Sequence, residues 1–97
     1  MLKQFANESA LSVSLDVLRL PGSEQWTHYL ALGSNSRVIL FERSSQESPF
    51  MQVESLEGVT DNVSCLKTVY IAEKKQIVTL YATFDGKLTC RVVKQLQ

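Results

Sequence analysis

The groups in this chain able to do chemistry are one imidazole, two thiols and a scatter of carboxylates, and their spacing gathers none of them into a recognised motif. His28 is the sole histidine, and no Cys or carboxylate cluster stands near it in sequence to complete a metal site. Cysteine nucleophilic chemistry would have to pair His28 with Cys65 or Cys90, and neither thiol lies in a local signature for that chemistry. Gly33-Ser34-Asn35-Ser36 lacks the glycines and the lysine of a phosphate loop and reads as a turn. Asp61 and Asp85 sit among turn residues, where the side chain's hydrogen bonds to nearby backbone explain an aspartate without a general acid or base role. The sequence therefore predicts no catalytic, cofactor-binding or metal-binding residues, and a protein that is not an enzyme. Cys65 and Cys90 lie far apart and are able to close one disulfide, but free buried thiols in a reducing compartment fit the pattern better.

The elements around these residues are strands. Leu11, Val13, Leu15 and Val17 alternate with Ser12, Ser14 and Asp16, the period-two signature of a strand with one buried face. Pro21-Gly22-Ser23-Glu24 turns the chain. Trp26, His28, Leu30 and Leu32 then alternate with Thr27, Tyr29 and Ala31, and Gly33 to Ser36 turns it again into Val38-Ile-Leu-Phe41. That run is apolar on both sides, which predicts a central strand covered on both faces. Arg43 to Pro49 is a polar loop closed by a proline, Phe50 to Leu56 a fourth strand, and Glu57 to Asn62 a turn. Met1 to Ala10 reads as a short strand or an arm and is given no role.

Two readings stand open for Val63 to Lys75. A helix capped by Thr60, Asp61 or Asn62 would put Val63, Leu66, Val69 and Tyr70 on one stripe and Lys74 and Lys75 at its carboxyl end. A strand is favoured by Val63, Thr68, Val69, Tyr70 and Ile71, which are mediocre helix formers. Downstream, Asp85-Gly86 marks a hairpin between Gln76–Phe84 and Lys87–Lys94. A two-residue loop would break the apolar face. A three-residue loop with Gly86 left-handed instead pairs Ala82 with Leu88, Leu80 with Cys90 and Val78 with Val92, and this register is the one predicted. The fold class is α+β or mostly β: an antiparallel meander or sandwich of about six strands in one domain spanning 1–97, with a helix at 61–75 as the alternative.

Composition narrows the function. With 44% hydrophobic and 21% charged residues the chain is ordinary globular material, and 97 residues leave room for one modest core. Ten basic residues balance ten acidic ones, so no net field draws it to nucleic acid or to an anionic membrane. The first residues carry one lysine and no sustained apolar run, unlike a secretory signal, and no stretch is long and apolar enough to span a membrane. A cytoplasmic protein, also at home in the nucleus, is expected.

Two resemblances suggest what such a domain does. Val17-Leu-Arg-Leu20, Tyr29-Leu-Ala-Leu-Gly33, Gly58-Val-Thr-Asp-Asn62, Lys74-Lys75 and Gln76-Ile-Val-Thr-Leu-Tyr81 follow an order and spacing similar to the small proteasome-assembly chaperones, the third and fourth members of the mammalian set and their fungal counterparts. That resemblance implies a heterodimer with a homologous chaperone partner acting on proteasome α-subunits, and it implies a helix after Asn62. Val63-Ser-Cys-Leu66, Ile77-Val-Thr-Leu80 and Phe84 to Val93, echoed by Leu11 to Glu42, resemble instead the inner strands of WD-repeat propeller blades, which implies a scaffold subunit of a larger complex. On either reading the chain is a non-catalytic protein–protein interaction domain. Trp26, His28, Tyr29, Phe50 and Tyr70 are its candidate interface residues, and the little-protected edge at Leu11 to Leu20 suits β-augmentation by a partner.

Overall fold

The computed structural model describes residues 12–97, all of it strands and turns, so the Met1–Ala10 segment and Leu11 lie outside the described residues. Seven strands follow one another: β1 Ser12–Arg19, β2 Trp26–Gly33, β3 Val38–Arg43, β4 Met51–Leu56, β5 Val63–Ile71, β6 Gln76–Thr83 and β7 Leu88–Gln95. They form two separate antiparallel meanders, β1-β2-β3-β4 and β5-β6-β7. No helix among the described residues is long and apolar enough to cross a membrane.

The period-two segments become strands, but the buried face expected of β1 is reversed. Val13, Leu15 and Val17, opposite Leu32, Leu30 and His28, are exposed, while Asp16 on the other face is buried against the second sheet. β3 is buried from Val38 to Phe41 as a run apolar on both sides requires. The carboxyl-terminal hairpin pairs Ala82 with Leu88, Leu80 with Cys90 and Val78 with Val92 around a three-residue loop. There the Thr83 amide donates to the Lys87 carbonyl and Gly86 has φ +91°, the left-handed conformation the bulged loop needs. A bulge between Ile77 and Val78 shifts the distal pairing so that Gln76 meets Gln95.

Residues 63–71 are strand, and the helix at 61–75 is not formed. The reason is tertiary. Leu66, Thr68 and Tyr70 pair with Tyr81, Thr79 and Ile77 of β6, whose ladder satisfies the backbone groups on that side of the strand, while on its other side the Thr68 amide donates to Asp16. The count is accordingly seven strands among the described residues, where the sequence suggested about six.

The two sheets face each other through β1 and β2 on one side and β5 on the other. Between them lies the main core, with Ala31, Val38, Leu40 and Leu56 of the first sheet against Val63 and Tyr81 of the second, and Leu66, Val93 and Val59 at its margin. Gly33 is a point of close approach between the sheets. A Cβ there would stand 2.9 Å from the Ser12 hydroxyl and from Val63 Cβ, and the Val63 amide donates to the Ser34 carbonyl at 3.2 Å beside it. Asp16 is the polar tie between sheets. Its Oδ2 accepts the Thr68 amide at 2.9 Å and its Oδ1 meets Lys67 Nζ at 2.7 Å, joining the edge strand of one sheet to the edge strand of the other.

Candidate interaction surface

The face of the first sheet turned away from the second carries three of the five candidate residues, Trp26, His28 and Phe50. Val13, Leu15 and Val17 on β1 are exposed there, and inward of them Leu32, Ile39 and Phe41 form a second small cluster with Leu30 and Phe50 packed against it. Trp26 is 50% exposed at the end of β2, with the Arg19 guanidinium 6.0 Å from its ring centre. His28 is two residues on and therefore on the same face. Its Nδ1 accepts from Arg43 Nε at 2.8 Å, which requires the imidazole proton on Nε2, and the same guanidinium lies 4.4 Å from the Phe50 ring centre. Arg43 thus links His28 to Phe50 and holds both in place. Together with Leu15, Val17 and Gln46, the residues Trp26, His28 and Arg43 line a shallow groove of about 490 Å³. The lining joins two aliphatic side chains and a tryptophan to an imidazole, a guanidinium and an amide.

Two of the five candidates fall elsewhere. Tyr29 is fully buried on the opposite face of β2, between Asp16 and Glu42 in cross-strand register, and its hydroxyl has no hydrogen-bond partner of good geometry. Burial and then the nearby Glu42 carboxylate hold that hydroxyl well above the ordinary tyrosine range. Tyr29 is a core residue. Tyr70 lines a cleft of about 530 Å³ between the ends of the two sheets, with Glu42, Thr27, Lys75, Lys94 and the β1–β2 turn around it, so it shares no surface with Trp26 and His28.

The thiols correct another expectation. Cys65 and Cys90 are free, and both are exposed rather than buried. They stand on the outward face of the second sheet, in rows formed by Cys65, Ala82 and Leu88, by Lys67, Leu80 and Cys90, and by Val69, Val78 and Val92. Among the described residues no three His, Cys, Asp or Glu side chains come close enough together to hold a metal ion.

Sequence reasoning missed Arg43 and Asp16. Arg43 has a legible signal after the fact, since it closes a strand whose partner residue is His28, but its position follows only from the β2–β3 register. Asp16 reads in sequence as one more polar residue of an alternating strand. Comparison with protein-family models, with characterised proteins and with solved structures finds no match to this chain.

Proposed function

We propose that this chain is a non-catalytic interaction module, a stacked pair of blade-like antiparallel sheets that serves as a scaffold subunit for other proteins in the cytosol or nucleus. The observation carrying this reading is the outer face of the first sheet, where Leu15, Val17 and Trp26 stay exposed beside the ordered His28–Arg43–Phe50 cluster. Soluble domains seldom leave such a face bare unless something binds it. The strand at 63–71 favours a blade-type scaffold over an assembly chaperone of the proteasome, whose resemblance calls for a helix at that place. Two free thiols agree with a reducing compartment.

The test is recovery of bound protein from cells by the tagged chain. A stoichiometric partner should be retained by a Cys65→Ser/Cys90→Ser variant and lost by a Trp26→Ala/Phe50→Ala variant. A partner that ignores the second variant would remove the groove from the reading, and recovery of proteasome α-subunits would return the chaperone reading to first place.

A further inference from the structure

The cleft between the ends of the two sheets has walls of opposite charge. Thr27 of β2 and Glu42 of β3 stand on the wall supplied by the first sheet. Tyr70 of β5, Lys75 of the β5–β6 turn and Lys94 of β7 stand on the wall supplied by the second. Leu20 and Leu96 add apolar surface between them. The volume of about 530 Å³ lies within the range of small-molecule sites, roughly 300–1,000 Å³.

These charges are not neutralised within the chain. The ion pairs among the described residues join Lys67 to Asp16 and Lys87 to Asp85, so Glu42, Lys75 and Lys94 face the cleft without an ionic partner. Beside the half-buried Glu42 lies the Tyr29 hydroxyl, fully buried and with no hydrogen-bond partner of good geometry. A carboxylate in that setting favours a positive group placed against it, because its field is screened less than in open water. Lys75 supplies an independent observation. Its φ is +53°, a left-handed conformation that glycine or asparagine takes more readily. It is fixed there by the Leu96 amide, which donates to the Lys75 carbonyl at 2.8 Å, and by the Gln95 side-chain amide, which donates to the same carbonyl at 3.2 Å. A lysine kept where its backbone is disfavoured, on the wall of a cleft, is placed for its ammonium group rather than for the turn.

We infer that this cleft binds a small zwitterion, a free amino acid or a dipeptide with an apolar side chain. Its ammonium group lies against Glu42 and the Thr27 hydroxyl, its carboxylate between Lys75 and Lys94, and its side chain against Leu20, Leu96 and the Tyr70 ring. Each charge of such a molecule meets the opposite charge of one wall, which a simple anion or a simple cation does only on one side. The site is separate from the outer face of the first sheet and stands without the scaffold reading.

Titration of the full chain, followed by the amide signals of Thr27 and Tyr70 in two-dimensional NMR, tests this with L-leucine, leucyl-leucine, N-acetyl-leucine and leucinamide. Leucine or leucyl-leucine should move these signals saturably, and the tighter of the two gives the length of the occupant. N-acetyl-leucine lacks the ammonium group and leucinamide the carboxylate. Each should bind at least about tenfold more weakly than the tighter zwitterion, the equivalent of one charge-assisted hydrogen bond. Glu42→Gln should abolish the preference over N-acetyl-leucine and keep the preference over leucinamide, and Lys75→Gln/Lys94→Gln should do the reverse. Circular dichroism checks that the variants fold, and the comparison of probes on the wild type decides the matter even where a variant does not. No saturable shift with any probe at its highest soluble concentration overturns the inference. So does equal binding of N-acetyl-leucine and leucine, which would make the cleft a site for simple anions, or equal binding of leucinamide and leucine, which would make it one for simple cations. A Trp26→Ala/Phe50→Ala chain should bind the probes unchanged, so loss of the cellular partner and loss of the cleft's ligand are told apart.

Discussion

Removing the Asp16 carboxylate should destabilise the protein far more than removing the lysine that neutralises it. Asp16 makes two contacts, a hydrogen bond from the fully buried Thr68 amide and an ion pair with Lys67, whose side chain is 65% exposed. Hydrogen bonds to charged groups contribute about 1.5–3 kcal/mol, and an amide left buried without an acceptor costs about 1–3 kcal/mol. An exposed ion pair is worth about 1 kcal/mol at most. Asp16→Ala therefore costs about 3 kcal/mol, which for a domain of this size lowers the melting temperature by about 15 °C. Asp16→Asn keeps an acceptor for the amide and loses the charge, at about 1 kcal/mol, and Lys67→Met costs less than about 1 kcal/mol. Urea titration of the four proteins should show the lowest midpoint for Asp16→Ala, a higher one for Asp16→Asn and a higher one still for Lys67→Met, just below the wild type, at an unchanged slope. Equal losses for Asp16→Ala and Lys67→Met, or a loss below about 1 kcal/mol for Asp16→Ala, would refute the argument that the amide, not the ion pair, carries the tie between sheets.

Other outcomes follow from single sites. Gly86→Ala should cost about 1 kcal/mol in denaturant titration, purely through its left-handed backbone, since no atom lies within 4 Å of the added Cβ. Gly33→Ala should cost about 1–3 kcal/mol for the opposite reason, its Cβ meeting Val63 and Ser12 at 2.9 Å where the sheets close, and Val63→Ala in the same chain should recover part of the loss. Because burial raises Tyr29 above its ordinary value near 10, its contribution is intact below that pH and is lost as pH rises toward the folded-state value. Alkaline unfolding should coincide with the appearance of tyrosinate absorbance from Tyr29, and Tyr29→Phe should shift that unfolding to higher pH with little loss of stability at neutrality, since the hydroxyl it deletes makes no hydrogen bond of good geometry.

What the amino-acid sequence determined by itself was local. Alternation of apolar and polar residues at a period of two placed β1 and β2, a run apolar on both sides placed β3, and the Asp85-Gly86 pair with the need for a continuous apolar face set the β6–β7 register, because side chains on a strand have only two sides to occupy. The same parity already separates Tyr29 from Trp26 and His28, so its place in the core was legible had it been applied to the candidate site. The tertiary structure decided the rest. Val63 to Ile71 carries residues that serve a helix stripe or a strand, and only the waiting edge of β6 chose between them. Seven strands in one meander and seven strands split four and three have the same local pattern; the split follows from the close approach at Gly33 and the Asp16–Thr68 bond, both between residues distant in sequence. Exposure of the thiols and of Leu15, Val17 and Val92 was likewise beyond local reading, since a strand's pattern shows which residues share a face but not whether another sheet comes to cover it.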